Sequence, residues 1–370
     1  MSTSPPPPLA DAAKETGCTD YLIERIQRNG PIRIAAFMET VVDTYYARGN
    51  IFGRSGDFVT APEISQVFGE LVGLWCITAW QCLDQPRDFH LVEYGPGRGT
   101  LMADIIRTTS KAAPRFGYAV SVHLIERSEK LRAEQEKTLM GLNVSWHEDL
   151  STLPEGPVIL VANEFLDALP ITQYVKTASG WCERLVNHNG REFVFNVATL
   201  PTPNINDAFH DAPEGSILEH STAVHDVVSD ISKLCLERPG IGLLIDYGYV
   251  RTNIGDTLQA VKGHAYAPVL KTPGIADLTA HVDFALVSEA ARSVGCAVYG
   301  PVEQGLWLQR LGIKVREAQL SEGKSKQDVE TIRAGIARLI DPVSMGSLFK
   351  VLAIAPPHIA PLAGFEAEVK

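Results

Sequence analysis

The first part of the chain spaces its apolar and polar positions as helices do. Residues 21–29 and 32–46 predict two helices, separated by Gly30-Pro31, which ends one helix and starts the next. A glycine-bearing loop follows at 53–60, and Thr60-Ala61-Pro62-Glu63 has the spacing of a capping box. Apolar residues then recur at helical intervals and predict a long, partly buried helix. They are Ile64, Val67, Phe68, Leu71 and Trp75.

A different pattern follows, in which short apolar runs alternate with amphipathic segments. Strands are predicted at 89–94, 120–126, 144–147 and 158–163. A helical face follows the first strand, and a helix is predicted at 128–140 after the second. Such β-α alternation implies a parallel sheet with right-handed crossovers, as in Rossmann-like α/β domains.

The alternation stops after Pro170. Short strands with glycine turns between them are predicted at 171–176, 181–187 and 192–197, which indicates an inserted hairpin or meander. The pattern then returns to longer elements. They are predicted as a helix around 224–234, a strand at 240–247, a loop-rich stretch at 248–280, helices at 284–294 and 329–340, and a strand at 348–354.

These patterns divide the chain into six predicted segments. The first is rich in proline and polar residues, which is typical of disorder. The segments are a disordered leader at 1–17, an N-terminal helical region at 18–86, a Rossmann-like core at 87–170, an inserted β-rich region at 171–220, the remainder of the core with loop and helical insertions at 221–355, and a C-terminal tail at 356–370.

Composition and charge narrow the class of protein. The 370 residues are 45% hydrophobic and 21% charged, which is ordinary for a soluble globular enzyme. The net charge of -11 disfavours a nucleic acid as partner and suits a cationic ligand or a basic peptide better. No apolar run of about 18 residues predicts a membrane span, and the first 17 residues lack the pattern of a signal or transit peptide. We therefore expect a cytoplasmic protein that does not insert into a membrane.

The six cysteines add no chemistry of their own. None belongs to a C-x-x-C pair, and no tight cluster of cysteine and histidine is present. A zinc site and a disulfide framework are therefore not predicted, and we expect reduced, mostly buried thiols.

The main chemical signal is the turn that follows the strand at 89–94. Glycines at a strand-to-helix turn let a ligand approach the backbone closely. A dinucleotide fingerprint would place its third glycine at Thr100, whereas an acidic residue followed by G-x-G-x-G is the form seen in S-adenosylmethionine-dependent methyltransferases. A nicotinamide or flavin site and a turn without a ligand stay open as alternatives. The candidate cofactor-binding residues here are Glu93, Gly95, Pro96, Gly97, Gly99 and Thr100.

Two further acidic positions follow the next strands of the predicted sheet. Glu126 ends the second strand, where a carboxylate can accept hydrogen bonds from both ribose hydroxyls. Its alternative role is that of an acid stabilised by the dipole of the following helix. Asp149-Leu150 follows the third strand, where the carboxylate is predicted to face adenine, and a solvated loop acid is the alternative.

The segment Asn163–Pro170 follows the fourth strand and carries two carboxylates. Because it lies at the carboxyl edge of the sheet, near the point where ligands bind, we predict that it positions the methyl acceptor. Glu164 and Asp167 suit a guanidinium, which is planar, cationic and held bidentately by carboxylates. A loop whose acids cap a helix is the alternative. The candidate catalytic residues are Asn163, Glu164 and Asp167.

Three segments together resemble the MidA-like family of class I methyltransferases. They are 56–70 (GDFVTAPEISQVFGE), the turn at 93–101 and the acidic segment at 163–170. Further similar segments are 240–249 (GIGLLIDYGY), 277–284 and 345–350. The resemblance runs from about Tyr21 to Ile354, nearly the whole chain.

The resemblance implies a seven-stranded class I methyltransferase sheet with an N-terminal helical extension and an inserted substrate-side β/α region. It implies that Gly95, Gly97 and Gly99 line S-adenosylmethionine and that Glu126 holds its ribose. It also implies that the segment 56–66 folds over the cofactor and the acceptor, which makes Thr60 and Glu63 further candidates for cofactor binding.

Mitochondrial members of this family are arginine methyltransferases that act in the assembly of respiratory complex I. The resemblance thus implies symmetric dimethylation of an arginine on the complex I subunit homologous to the 49-kDa subunit. Two alternatives stay open, a non-catalytic assembly scaffold that binds the cofactor and a methyltransferase of a small molecule. The missing transit peptide suits a bacterial cytoplasmic member, whereas a eukaryotic member would belong in the mitochondrial matrix. A homodimer is a further expectation, and the sequence leaves the oligomeric state open.

Overall fold

The computed structural model describes residues 17–48, 60–202 and 207–366. The predicted leader lies outside the described residues except for its last position, Gly17. The predicted glycine loop lies outside them except for Thr60, so neither of these predictions is compared with the fold.

The described chain contains both helices and strands, with regular alternation around the first strands of the parallel sheet. The α-helices are α1 (Cys18–Asn29), α2 (Ile34–Tyr46), α3 (Ala61–Ile64), α4 (Gln66–Cys82), α5 (Thr100–Ala112), α6 (Pro114–Ala119), α7 (Glu129–Thr138), α8 (Thr222–Glu237), α9 (Phe284–Val294), α10 (Gln304–Arg310), α11 (Ile313–Ser321) and α12 (Lys326–Ile340). The strands are β1 (Ile32–Arg33), β2 (Phe89–Tyr94), β3 (Val120–Ile125), β4 (Val144–His147), β5 (Val158–Asn163), β6 (Thr172–Thr177), β7 (Gly180–His188), β8 (Phe193–Pro201), β9 (Ile217–His220), β10 (Gly240–Tyr249), β11 (Gln259–Lys262), β12 (Ala265–Ala267), β13 (Asp277–Thr279), β14 (Val282–Asp283), β15 (Ala297–Glu303) and β16 (Phe349–Ala355).

The chain divides into two compact units and passes repeatedly from one to the other. Of the described residues, the first unit comprises 17–48, 168–202, 207–224 and 252–281. The second comprises 60–167, 225–251 and 282–366. The division of the chain into six functional segments stays a prediction.

The second unit contains the predicted parallel sheet. Its strands lie in the order β4-β3-β2-β5-β10-β16-β15, and the short β14 pairs with β10. Neighbouring strands from β4 to β10 run parallel, whereas β16 runs antiparallel to both β10 and β15. The predicted Rossmann-like α/β fold is confirmed.

The strand order of this sheet reverses between β2 and β5. The chain moves from β2 outward to β3 and β4, and then places β5 on the other side of β2. In open α/β sheets, ligands bind outside the carboxyl ends of the strands at such a switch point. The glycine turn after β2 and the acidic segment after β5 therefore lie at the same edge of the sheet.

Helix α4 buries 12 of its 17 residues in the core of the second unit. Trp75 is 0% exposed and Trp80 is 4% exposed, so both belong to the core. The Trp80 ring meets the ring of Phe116 edge-on at 5.7 Å, and Phe116 meets Phe89 edge-on at 4.8 Å. These rings join α4 and α6 to the start of β2 through apolar contact.

The long helix predicted after Thr60 is broken in two. Ser65 is extended, with φ -156° and ψ 128°, so α3 ends after four residues and α4 starts anew. The Ser65 hydroxyl accepts a hydrogen bond from the N–H of Val67 and thereby caps α4. The predicted capping box is wrong, because the Thr60 side chain makes no capping bond.

The first unit is built on antiparallel sheets. Strands β1-β7-β6-β9 lie in that order with β8 beside β7, and a separate sheet has the order β12-β11-β13. Its apolar core includes Leu22 of α1 and Phe37 of α2. The predicted inserted strands are confirmed as β6, β7 and β8, whereas the stretch predicted as loop-rich contains β11, β12 and β13.

Candidate functional site

The glycine turn after β2 has a backbone that glycine adopts readily. Gly95, Gly97 and Gly99 have φ of 68°, 53° and 80°, all in the left-handed region. Gly99 directly precedes α5, so the free N–H groups at the start of that helix lie beside the turn. The strand–turn–helix arrangement predicted from the sequence is therefore present.

The turn packs closely against the segment that follows β5. A Cβ added at Gly95 would lie 2.7 Å from Cδ2 of Phe165, which leaves no room for a side chain. The rings of Tyr94 and Phe165 lie 4.2 Å apart between centroids at an interplanar angle of 32°. The two sequence segments predicted to bind cofactor and acceptor are thus in direct contact.

Buried acceptor atoms of Glu93 and Asn163 at this edge have no hydrogen-bond partner among the described residues. They are Oε2 of Glu93 and Oδ1 of Asn163, whose residues are 3% and 8% exposed. Burial raises the pKa of Glu93 to about 8, although a hydrogen bond from the Met102 backbone opposes the rise. Because buried polar atoms are normally satisfied, a ligand that carries N–H donors fits this site. The ammonium group of the predicted cofactor is such a donor.

Glu126 lies directly after β3 and holds its carboxylate between two donors. Its Oε1 accepts from the backbone N–H of Ser128 at 2.7 Å, and its Oε2 accepts from Nε2 of Gln135 at 3.2 Å. Burial raises the pKa of Glu126, and these hydrogen bonds oppose the rise. The carboxylate thus makes the helix-start contact that was one alternative, and its oxygens keep lone pairs for further donors.

Asp149 stands apart from these buried acids because it is exposed. Its Oδ1 accepts from the backbone N–H of Ser151 at 2.8 Å and from the Ser151 hydroxyl at 2.5 Å. These bonds lower the pKa of Asp149 and cap the short 3-10 helix Leu150–Thr152. The roles of Asp149 and Leu150 at adenine stay predictions.

Glu164 has a strained backbone and a partly buried carboxyl. Its φ of 51° lies in the left-handed region, which non-glycine residues seldom adopt and which is concentrated at functional sites. Its Oε1 accepts from the N–H of Ala61 at 2.9 Å and from Nδ2 of Asn163 at 3.2 Å. Burial raises its pKa to about 7, and the nearby carboxylates of Asp167 and Glu63 raise it further against these hydrogen bonds.

Asp246 of β10 holds the acidic segment in place. It is 0% exposed, and its Oδ2 accepts from three successive backbone N–H groups at 2.9 to 3.2 Å. Those donors belong to Phe165, Leu166 and Asp167. Burial and the charges of Asp167 and Glu164 raise the pKa of Asp246, while the N–H donors oppose the rise. These contacts show that Asp246 positions the backbone around Glu164.

Asp246→Asn is expected to destabilise the protein by about 1–3 kcal/mol. The NH2 group of the asparagine would face a backbone N–H donor, and that donor would lose its acceptor. Urea unfolding of the wild type and the variant measures this change. Asp88→Asn at an exposed aspartate of the same unit is the matched control. Equal stability of Asp246→Asn and Asp88→Asn would show that the buried carboxylate does not hold the segment.

Helix α3 contacts both the acidic segment and the glycine turn. The N–H of Ala61 donates to Glu164, and Oε1 of Glu63 lies 3.7 Å from Nη1 of Arg98 in the glycine turn. Thr60 precedes this helix, and its carbonyl accepts from the N–H of Glu63 at 2.9 Å. Thr60 and Glu63 therefore lie next to the turn, and their contact with a cofactor stays a prediction.

A row of three histidines crosses β2, β3 and β4, and the sequence did not single it out. Nδ1 of His90 lies 3.0 Å from Nε2 of His123, and Nδ1 of His123 lies 2.9 Å from Nε2 of His147. His90 Nε2 lies 3.0 Å from the Glu155 carbonyl, which can only accept. His90 Nε2 therefore donates to this carbonyl, and each contact between two rings pairs one donor with one acceptor.

The histidine row gives the stability of the protein a pH dependence. Burial, together with His90 and His147, lowers the pKa of His123 from 6.5 to about 4. Between pH 6.5 and about 4, His123 is therefore protonated in the unfolded chain and neutral in the folded chain. The free energy of unfolding thus falls as the pH drops through this range. We expect the stability advantage of the wild type over His123→Leu to shrink by about 1–2 kcal/mol between neutral pH and pH 5 in urea unfolding. A constant difference would contradict this.

Among the residues that the structure describes, no set of three histidine, cysteine, aspartate or glutamate side chains is arranged to hold a metal ion. None of the helices that the structure describes has the length and apolarity needed to span a bilayer.

The sequence and the fold were compared with known proteins. A family model described as "Putative S-adenosyl-L-methionine-dependent methyltransferase" matches residues 71–302. The Drosophila melanogaster protein named protein arginine methyltransferase NDUFAF7 homolog, mitochondrial, is 35% identical, and the match covers 97% of this chain and 91% of that protein. The human protein arginine methyltransferase NDUFAF7, mitochondrial, is 33% identical, with coverage of 91% and 82%.

A solved structure shares the whole fold. It is a crystal structure of a Burkholderia thailandensis protein bound to S-adenosyl-homocysteine, with a TM-score of 0.81 and 26% identity. The match covers 100% of this chain and 98% of that chain. The similarity therefore extends over both units of the chain.

Proposed function

The chain belongs to this family of S-adenosylmethionine-dependent methyltransferases, and we propose that it methylates the guanidinium group of a protein arginine. The predicted family and cofactor are confirmed by the family model and the relatives. The arginine acceptor is proposed because the fly and human relatives are named protein arginine methyltransferases and because the acidic segment suits a guanidinium.

The proposed cofactor site is the edge of the sheet between β2 and β3. The turn at 95–99 would receive the amino-acid end of the cofactor, where Glu93 offers a buried oxygen that lacks a hydrogen-bond partner among the described residues. Glu126 would accept the ribose hydroxyls through its remaining lone pairs. The bound cofactor supplies an electrophilic methyl group on a sulfonium.

The acidic segment would bind and orient the acceptor. Glu164 and Asp167 follow β5 and place two carboxyl groups at the carboxyl edge of the sheet, and this pair of acids is the observation that carries the proposal. Carboxylates at this place attract a guanidinium and orient one of its nitrogens. An N–CH3 bond forms as the S–CH3 bond breaks, and one proton leaves the guanidinium.

Glu164 is the group proposed to take up that proton. Its pKa of about 7 lets it hold a proton or release it near neutral pH. Asp246 then acts as a positioning residue, because it fixes the backbone from which Glu164 projects.

The protein target and the product of methylation are the finer part of the proposal. We propose symmetric dimethylation of an arginine on the complex I subunit homologous to the 49-kDa subunit, on the basis of the family resemblance. The substrate-side role of the segment 171–220, a homodimer and a cytoplasmic location in a bacterium belong to the same proposal.

The test is methyl transfer from labelled S-adenosylmethionine to purified complex I subunits, followed by mass spectrometry of the labelled peptide. The proposal expects label on one arginine of the 49-kDa-type subunit, as symmetric dimethylarginine. Label on a small molecule only would point to a different acceptor. Cofactor binding without label on any subunit would indicate an assembly scaffold and contradict the proposed catalysis.

A further inference from the structure

Gln135 of α7 joins three neighbouring strand ends of the sheet. Its side chain is fully buried, at 0% exposure. Nε2 donates to the carbonyl oxygen of Gly97 at 2.7 Å and to Oε2 of Glu126 at 3.2 Å. Its Oε1 accepts from Nε1 of Trp146 at 2.9 Å. The glycine turn after β2, the acid after β3 and the indole of β4 are thus held by one side chain.

The three hydrogen-bond partners fix the orientation of the Gln135 amide. The Gly97 carbonyl and an ionised Glu126 accept hydrogen bonds, whereas the indole N–H of Trp146 donates. If the amide were rotated by 180°, its oxygen would face two acceptors and its NH2 group would face the indole N–H donor. Trp146 therefore determines which face of Gln135 meets the turn and the carboxylate.

Gln135 also bounds the turn sterically. A Cβ added at Gly99 would lie 3.6 Å from Cγ of Gln135 and 3.3 Å from Cδ1 of Leu139. The side chain therefore contacts the turn along its length, through its apolar stem as well as its amide.

We propose that Gln135 is a positioning residue for S-adenosylmethionine. It keeps the backbone at Gly97 and the carboxylate of Glu126 at the separation that the cofactor requires, one for its amino-acid end and one for its ribose. Gln135 itself touches neither the reacting methyl group nor the acceptor. This inference rests on the proposed cofactor roles of Gly97 and Glu126.

The first variant is Gln135→Glu, which keeps the length of the side chain and changes only its donors. At about pH 8 the new carboxylate would face Glu126 and the Gly97 carbonyl, and we expect the Kd for S-adenosylhomocysteine to rise at least about tenfold. At about pH 6 a shared proton would restore one donor, so we expect part of the affinity to return. Isothermal titration calorimetry at both pH values measures the two constants.

The pH response separates positioning from packing. In the wild type, acidification protonates Glu126 and removes an acceptor, so affinity should fall or stay constant as the pH drops. In Gln135→Glu, the affinity should increase as the pH drops. A residue that only fills space would lower the melting temperature without reversing this trend, and that result would overturn the proposal.

A second variant, Gln135→Met, keeps the apolar volume and removes every hydrogen bond of the amide. We expect a Kd about tenfold higher and a KM for the cofactor raised by a similar factor, with kcat at saturating cofactor within about twofold of the wild type. Glu136→Gln, on the exposed next residue of α7, is the matched control and should bind as the wild type does.

Two reference variants distinguish failure of this inference from failure of the site. If Gly97→Val and Glu126→Gln lose affinity while both Gln135 variants bind normally, the site stands and the role of Gln135 is overturned. If Gly97→Val and Glu126→Gln bind as the wild type does, the proposed cofactor site is wrong and the inference is overturned with it.

Discussion

Glu164→Gln is expected to lower kcat at least about 100-fold and to change the Kd for S-adenosylhomocysteine less than about threefold. Glutamine keeps the shape of the side chain and an oxygen that can accept from Ala61, so the backbone contact at 2.9 Å survives. It lacks the negative charge that would orient a guanidinium and the capacity to take up its proton. Methyl-transfer kinetics and calorimetry on the same preparations measure the two quantities.

The stability of the same variant gives an independent check. The pKa of Glu164 is about 7 in the folded protein and 4.5 ordinarily, so the folded chain binds the extra proton and stability falls as the pH rises between these values. Glu164→Gln removes this loss and should be about 1–2 kcal/mol more stable than the wild type above pH 7. Loss of turnover together with a gain in stability cannot come from misfolding. Turnover equal to the wild type would remove Glu164 from the acceptor role.

Gly97→Val is expected to weaken cofactor binding at least about 100-fold, which is about 2.7 kcal/mol. Gly97 has a φ of 53°, where a β-branched residue is strained, and the branched side chain would occupy space next to the ligand. The measurement is calorimetric titration with S-adenosylhomocysteine.

Gly141→Val is the matched control for this prediction. Gly141 has a φ of 89°, and no atom lies within 4 Å of a Cβ added there, so the backbone strain is similar and no ligand space is lost. Gly141→Val should lose stability and keep its affinity. Equal loss of affinity in both variants would attribute the effect to strain and would place the pocket elsewhere.

The core of the sheet could be predicted because its strands are buried on both faces. Strand β5 is buried at all six positions, so its sequence is a continuous apolar run that ends at Asn163. The turn after β2 could also be predicted from the sequence, because each of its left-handed positions is a glycine. Strands β11, β12 and β13 were missed because they have only three or four residues each, too few to show a period.

The parts of the site that the sequence did not predict depend on contacts between distant residues. Asp246 binds backbone groups that lie 79 to 81 positions away, and Gln135 binds Gly97 across 38 positions. A buried amide within an amphipathic helix has no local signature. The break at Ser65 is also hidden, since apolar spacing continues across it and only its extended backbone separates α3 from α4. The acids and glycines of the site could therefore be predicted from the sequence, whereas the residues that hold them in place could not.

Strand β16 lies between β10 and β15 and is buried at every position, yet it follows all the other strands that the structure describes. During synthesis, more than a hundred residues are added between the end of β10 and the end of β16, which takes about five seconds or more at the usual rate of translation. Over this time the edge of β10 that later pairs with β16 is open. An open hydrophobic strand edge invites pairing with other chains. Nascent chains of this protein should thus depend on chaperone protection until their last strand emerges from the ribosome.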